Sequence, residues 1–342
     1  MNQQTLIDTA KTLMADQKGL IAMDESTATC DKRLEEQGIA KTEDMRRRWR
    51  DLIVTTPGLG DSISGAILFD ETIRQQTLAG VPFAKALADV GIIPGIKVDA
   101  GAKPLAFHPD EKVTEGLDGL RERLEEYASM GARFAKWRAV IAIGAGIPTQ
   151  TCIEVNAHAL ARYAALCQDT GIVPIVEPEV LMDGAHPLSR CEEVTTEVLR
   201  AVFRQLAAQD VLLEGMLLKP NMVLPGLSAA TQATVEEVAH ATVACFLETV
   251  PGEVPGIAFL SGGQSAELAS ARLNAINANY GLRLRWPVTF SFSRAIQQPA
   301  LELWKGRTEN VGKGQQALLH RAICNRAARG GKYDFGRDEP MA

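Results

Sequence analysis

The stretch LLEGMLLKPNMVLPG, residues 212–226, is apolar almost throughout as far as Lys219 and breaks at Pro220. A short continuous apolar run fits a strand covered on both faces, as in a parallel sheet; a half-exposed strand would alternate. The lysine at its end admits two readings. Its long aliphatic stem lets a lysine snorkel from a strand end into water. A desolvated lysine instead loses its proton readily, and the neutral amine attacks carbonyls. The segment alone leaves both open.

Working outward, the same kind of run recurs: GLIAMD (19–24), GAILF (65–69), IIPGIKVD (92–99), ARFAKWR (132–138), GIVPIVEPE (171–179), VLLEGMLLK (211–219), GIAFLSG (256–262) and VTFSFS (288–293). Helical patterns separate them. TQTCIEVNAHALARYAALC (149–167) and SAELASARLNAINAN (265–279) carry apolar residues at helical spacing. SRCEEVTTEVLRAVFRQL (189–206) and TVEEVAHATVACFL (234–247) open with Ser189/Glu192 and Thr234/Glu237, which read as capping boxes. Eight strands alternating with helices favour a closed (β/α)8 TIM barrel over an open doubly wound sheet. No GxGxxG follows GLIAMD, no GxxxxGK[ST] occurs, and GLGDSISG (58–65) has neither spacing. The expectation is a single barrel domain over 1–342, with a mobile polar tail from about 330.

Composition narrows the function. The chain is 46% hydrophobic, enough for a large core, and its net charge of −6 offers no surface for nucleic acid or an anionic membrane. Six cysteines without a CxxC read as reduced thiols. No run is long enough to span a bilayer, and MNQQTLIDTAKTLMADQ lacks the layout of a secretion signal, so the expectation is a soluble cytoplasmic protein. The five histidines form neither HxH nor HExxH, and the cysteines lack zinc spacing; no metal and no cofactor are expected. Ser261 has no GxSxG around it and reads poorly as a hydrolytic nucleophile.

Barrel enzymes build their sites at the carboxyl ends of strands. Here those ends carry Asp24, Lys97 with Asp99, Lys136 with Arg138, Glu177 with Glu179, Lys219, Ser261 with Gly262 and Gly263, and Arg294 just after the eighth run. One such residue reads equally well as a solvated strand end. Their recurrence from strand to strand points to a site. A period of two puts Lys136 and Arg138 on one face. Converging lysines and carboxylates suit Schiff-base chemistry: an amine attacks a ketone, water leaves, and the iminium draws electrons from a breaking carbon–carbon bond. A glutamate among lysines serves as the resting acid only if burial outweighs their field. The SGG turn with Arg294 suits a phosphate. Arg33 and Lys32 suit a second anion or form a solvated helix face.

These residues resemble class I fructose-bisphosphate aldolases, the metal-independent, lysine-dependent family, from about residue 15 to about 330. LLEGMLLKPNMVLPG resembles the family's Schiff-base segment, which implies Lys219 as the covalent residue. GLIAMDEST brings Asp24 and Ser26, PGIKVD brings Lys97, FAKWR brings Lys136 and Arg138, and VPIVEPE brings Glu177 and Glu179. FLSGGQS implies phosphate binding by Ser261, Gly262 and Gly263, completed by Ser291 and Arg294, with Arg33 near the other phosphate. The resemblance implies reversible cleavage of fructose 1,6-bisphosphate, sugar phosphates as partners, a homotetramer, and glycolytic or gluconeogenic use. Two departures stand out. Relatives end in a tyrosine that assists proton exchange; this sequence closes on DEPMA, and Tyr333 is the nearest tyrosine. FSFSRA stands where relatives commonly have FSYGRA, so Phe292 lacks a hydroxyl and Ser293 replaces glycine. A related Schiff-base enzyme, transaldolase-like or sedoheptulose-bisphosphate-cleaving, would use the same lysine. A catalytically idle scaffold would let the converging charges decay, yet all are present.

Overall fold

The computed structural model describes residues 3–338. Eight parallel strands close into a barrel, each bonded to its neighbours in sequence and the last to the first. They are β1 (Gly19–Ala22), β2 (Ile63–Leu68), β3 (Ile93–Lys97), β4 (Phe134–Ile141), β5 (Val173–Val180), β6 (Leu217–Leu218), β7 (Ile257–Phe259) and β8 (Val288–Phe292). All eight fall within or against the apolar runs, and helices lie between them. This is the (β/α)8 barrel expected from the alternation.

Small residues opposite large ones fill the barrel. A Cβ on Gly95 would lie 2.2 Å from the Phe134 ring, and one on Gly19 would lie 2.5 Å from Phe290. The amino end is closed by a helix, Gln3–Leu13, that the sequence reading did not anticipate. Leu13 reaches to within 2.7 Å of where a Gly65 Cβ would sit, and Met14 to 2.3 Å from that of Gly256. Leu6, Ala10, Leu13 and Met14 thus join Leu20, Ile67, Phe134 and Ile175 in one buried inner cluster. A larger apolar cluster fills the layer between strands and helices.

Local chemistry sets the outer elements. The helix Val235–Thr249 opens with the expected capping box: Thr234 Oγ1 accepts from Glu237 N at 3.2 Å, and Glu237 Oε2 accepts from Thr234 N at 2.8 Å. The Ser189/Glu192 box does not form. That helix is Leu188–Ala208 with Pro187 at its N-cap, so Ser189 is already inside the first turn. Only Leu217–Leu218 of the 211–219 run is strand; Leu213–Gly215 forms a 3-10 turn. Gln168 causes the diversion, donating to the carbonyls of Leu212 at 2.8 Å and Gly215 at 3.2 Å. A hairpin of Ala102–Pro104 with Lys112–Thr114 is a further unanticipated element. Residues 331–338 fold back on the helix Val311–Arg329, where Tyr333 Oη donates to Asp338 at 2.6 Å and Arg321 pairs with the same carboxylate. No helix among the described residues is long and apolar enough to cross a membrane.

The contact between Gly95 and Phe134 is testable. Gly95→Ala should destabilise by about 1–3 kcal/mol through overpacking. In a Phe134→Leu background most of that increment should disappear, as read from a double-mutant cycle of urea transitions. Additive penalties would show that the ring does not fill this space.

Candidate active site

Every site residue expected from the sequence borders one cavity of about 570 Å³ at the carboxyl end of the barrel. Register explains the convergence. Lys97 of β3 pairs with Lys136 of β4, and Arg138 of β4 with Glu177 of β5. Paired residues on neighbouring parallel strands face the same side, so these charges point together into the mouth.

At its centre lies a chain of alternating charge. Lys136 Nζ is 2.7 Å from Asp24 Oδ2 and 3.0 Å from Glu177 Oε2; Lys219 Nζ is 3.1 Å from Glu177 Oε1. Lys219 is 3% exposed, which excludes the snorkelling reading. Burial opposes ionisation of Asp24, but Lys136 and then Lys219 outweigh it and hold that carboxyl at about 2. Burial also pushes the Glu177 carboxyl up, and the same two lysines bring it below its ordinary value. The condition for Glu177 as a resting acid is therefore not met: it stands ionised. Burial opposes the charge on Lys136 too, yet Asp24 and Glu177 raise its pKa well above the usual lysine range. Lys136 stays an ammonium.

Around the rim, Lys97 Nζ lies 3.0 Å from Asp99 Oδ1, and Arg138 pairs through Nε with Glu179. Asp99 Oδ2 also accepts from the Arg138 backbone at 3.2 Å. The Arg138 side chain remains 44% exposed, so it stands at the entrance. Gly262 (φ 53) and Gly263 (φ 80) both take left-handed conformations that glycine adopts without strain. Arg294 Nη2 comes within 3.8 Å of where a Gly263 Cβ would be, placing the guanidinium over this turn. Ser291 Oγ is buried and has no hydrogen-bond partner among the described residues. The turn, the serine and the arginine form a donor-lined end able to take an anion.

Arg33 also borders the cavity, on the helix Thr27–Glu36, whose N-cap is Ser26, accepting from Thr29 N at 3.4 Å. Arg33 is bound to Glu25, a residue the sequence reading passed over. Glu25 also accepts from Ser293 Oγ at 2.8 Å and Gln297 Nε2 at 3.0 Å, and lies 3.1 Å from Arg50. Burial pushes the Glu25 carboxyl up, but Arg50 and Arg33 bring it below its ordinary value. Glu25 directly follows Asp24 and offered a weak signal. Arg50 and Gln297 lie inside helices and offered none. Tyr333 does not border the cavity, and residues 339–342, where a terminal tyrosine would stand, lie outside the described residues.

Comparisons agree with this geometry. A family model described as fructose-bisphosphate aldolase class-I matches residues 5–342. A Xanthomonas campestris protein described as a probable fructose-bisphosphate aldolase class 1 is 58% identical over 334 residues, 97% of this chain and 99% of that one. Chloroplastic fructose-bisphosphate aldolase 3 of Arabidopsis thaliana is 49% identical over 96% of this chain and 83% of its own. Among solved structures, fructose-bisphosphate aldolase from Plasmodium falciparum, in complex with TRAP and a small molecule inhibitor, superposes with a TM-score of 0.95 at 48% identity, covering 97% of this chain and 95% of that one.

Removing Lys136 should expose the cost of the buried carboxylates. Lys136→Met leaves Asp24 and Glu177 short of their shared cation and should cost about 3–5 kcal/mol at neutral pH. In the native protein the stability from Asp24 is present above its unfolded value of 3.8 and lost as pH falls toward 2. In the variant burial is less opposed, both carboxyls titrate higher, and protonation relieves the strain. The stability gap between variant and native protein should therefore narrow as pH falls from 7 toward 5. A gap independent of pH, measured by urea unfolding, would overturn the assignment.

Proposed function

The chain belongs to the class I fructose-bisphosphate aldolase family, and from that premise we propose how its cavity divides the work. The reaction is the reversible aldol cleavage of fructose 1,6-bisphosphate to dihydroxyacetone phosphate and glyceraldehyde 3-phosphate through a lysine Schiff base. Lys219 is the nucleophile. One observation carries this choice: among the described residues Lys219 alone of the three lysines is both buried, with its side chain 4% exposed, and held by a single carboxylate, whereas Lys136 meets two and the side chain of Lys97, paired with Asp99 at the rim, is 15% exposed. Glu177, ionised and 3.1 Å away, takes the proton that frees the Lys219 amine. The amine attacks the C2 carbonyl. Glu177 then returns a proton to the departing hydroxyl, so that water leaves and the iminium forms.

Asp24, held ionised, accepts the C4 hydroxyl proton. The C3–C4 bond breaks, its electrons pass into the iminium as an enamine, and glyceraldehyde 3-phosphate departs. Protonation at C3 and hydrolysis release dihydroxyacetone phosphate and restore Lys219. Lys136 keeps Asp24 and Glu177 charged and oriented. Glu179 positions Arg138, which with Lys97 steers the anionic substrate at the entrance. Ser26 holds the turn beneath Arg33 as its helix cap. The iminium is the electron sink, so these steps need no metal. Donor-lined ends at Ser261–Gly263, Ser291 and Arg294, and at Arg33, favour a substrate with two phosphates. We extend the reading to a single-domain chain working as a homotetramer in the cytoplasm, in glycolysis or gluconeogenesis. The six free thiols suit a reducing compartment.

Two experiments test the assignments. Trapping with dihydroxyacetone phosphate and borohydride should add one adduct that peptide mapping places on Lys219, and Lys219→Met should abolish it; an adduct on Lys136 or Lys97 would reverse the choice. Arg294→Ala should weaken phosphate binding by about 2–5 kcal/mol. With the C1 phosphate assigned to the Ser261–Arg294 nest and the C6 phosphate to Arg33, it should raise KM for fructose 1,6-bisphosphate and fructose 1-phosphate alike. A loss confined to the bisphosphate would exchange the two phosphate ends.

A further inference from the structure

Away from the cavity, three potential metal ligands converge on a single point. His320 and Cys324 lie one turn apart on the helix Val311–Arg329, an i, i+4 pair that shares one face. Asp338, from the segment that folds back on this helix, completes the group. His320 Nε2 lies 2.8 Å from Asp338 Oδ1 and 3.6 Å from Cys324 Sγ, and Cys324 Sγ lies 3.4 Å from Asp338 Oδ1. None of the three borders the catalytic cavity. The His320 side chain is 30% exposed and borders solvent, while that of Asp338 is buried.

The trio of residue types also suggests an activated thiol, but the geometry argues against it. A nucleophilic relay needs one imidazole nitrogen toward the thiol and the other toward the carboxylate. Here the same nitrogen, Nε2, faces both. Three ligand atoms this close to one another suit three corners of a metal site. Zinc bond lengths make this quantitative. A tetrahedron with Zn–S of about 2.3 Å and Zn–N and Zn–O of about 2.1 Å has ligand-to-ligand edges of about 3.6 Å from sulfur and about 3.4 Å between nitrogen and oxygen. Both observed sulfur edges match. The third edge is a hydrogen bond that an ion would replace, opening it by about half an ångström.

The carboxylate is already divided between two tasks. Its Oδ2 accepts from Tyr333 Oη at 2.6 Å and pairs with Arg321, while its Oδ1 is turned toward the histidine and cysteine. Arg321 is itself fixed, donating to Ser270 Oγ at 2.7 Å and to the Ala266 carbonyl at 2.9 Å. Outer partners of this kind orient a ligating carboxylate. Arg321 and the groups that fix it belong to two neighbouring helices, so through Arg321 the ligand is held by rigid elements although it and Tyr333 lie on a trailing segment.

We propose that His320, Cys324 and Asp338 bind a zinc-class divalent cation, with solvent as fourth ligand, which clamps the segment after residue 330 onto the helix Val311–Arg329. Binding releases the Cys324 proton to solvent and forms three protein–metal bonds; no redox step is involved. Imidazole with thiolate selects zinc or cobalt over magnesium or calcium.

Cobalt titration of the intact protein tests the proposal without using aldolase activity. One equivalent should bind and give a thiolate-to-cobalt charge-transfer band, and zinc should displace it. Cys324→Ser should remove the band. His320→Gln and Asp338→Asn should each weaken binding by about tenfold or more. Zinc should also slow tryptic cleavage after Lys332 in the native chain and not in Asp338→Asn. A band that survives Cys324→Ser belongs to another thiol. Titration that never saturates indicates adventitious binding. Full affinity in Asp338→Asn excludes the trailing segment as a ligand. Each of these outcomes overturns the clamp.

Discussion

The ammonium of Lys136 sits 2.7 Å from Asp24 and 3.0 Å from Glu177, so one side chain of β4 ties the end of β1 to that of β5. Through Glu177 the chain continues to Lys219 after β6. Isolated buried charges are costly, and a buried pair is stable only when its geometry and remaining hydrogen bonds are good. Alternation of sign solves this locally: each carboxylate has a lysine within contact, and the four charges sum to zero. The same alternation sets the chemistry. It holds both carboxylates ionised and loads Lys136 with two partners, which leaves Lys219 as the amine whose proton has one acceptor to go to.

A second buried network borders the cavity. Glu25 binds Arg33, lies beside Arg50, and accepts from Ser293 and Gln297. Ser293 immediately precedes Arg294, so a single carboxylate links Arg33 to the start of the helix Arg294–Trp304. This gives one departure from FSYGRA a physical role: the serine hydroxyl donates to Glu25 at the cavity wall. Phe292 has a different environment. It is fully buried and packs with Phe290 at a centroid distance of 5.7 Å, where a hydroxyl would need a partner.

Much of this was legible because strands buried on both faces are written as continuous apolar runs, and the chemistry lies where those runs end. Lys219 beside Pro220, Lys136 two residues from Arg138, and Glu177 two from Glu179 could be placed by strand period alone. Which lysine meets which carboxylate could not, because that depends on register between strands far apart in sequence. Gln297 and Arg50 sit on helices, where nothing local marks a residue that turns toward a strand end. The shortness of β6 was hidden for a similar reason, since the residue that bends Leu213–Gly215 is Gln168, on another helix. His320 and Cys324 were passed over because a motif search covers contiguous spacings, while their third partner arrives from a segment folded back.

The two ends of the barrel have opposite physical demands, and the sequence separates them. At the amino end Leu13 and Met14 press into glycine-lined space, and apolar side chains gather in the inner cluster, while the buried hydroxyls of Ser64 and Thr289 donate to backbone carbonyls. That burial supplies stability of the order of 25 cal/mol for each Å² of apolar surface removed from water. At the carboxyl end Asp24, Lys136, Glu177 and Lys219 occupy space that apolar side chains would fill with less desolvation cost. A site of this kind persists only if the other end over-determines the strand positions, because a shift of a few tenths of an ångström between β4 and β5 would disturb the contact of Lys136 with Glu177. Phe134 and Lys136 lie two residues apart on β4, one packed under the barrel and the other in its mouth. The tight fit of the ring against Gly95 thereby fixes the height at which the ammonium meets its carboxylates.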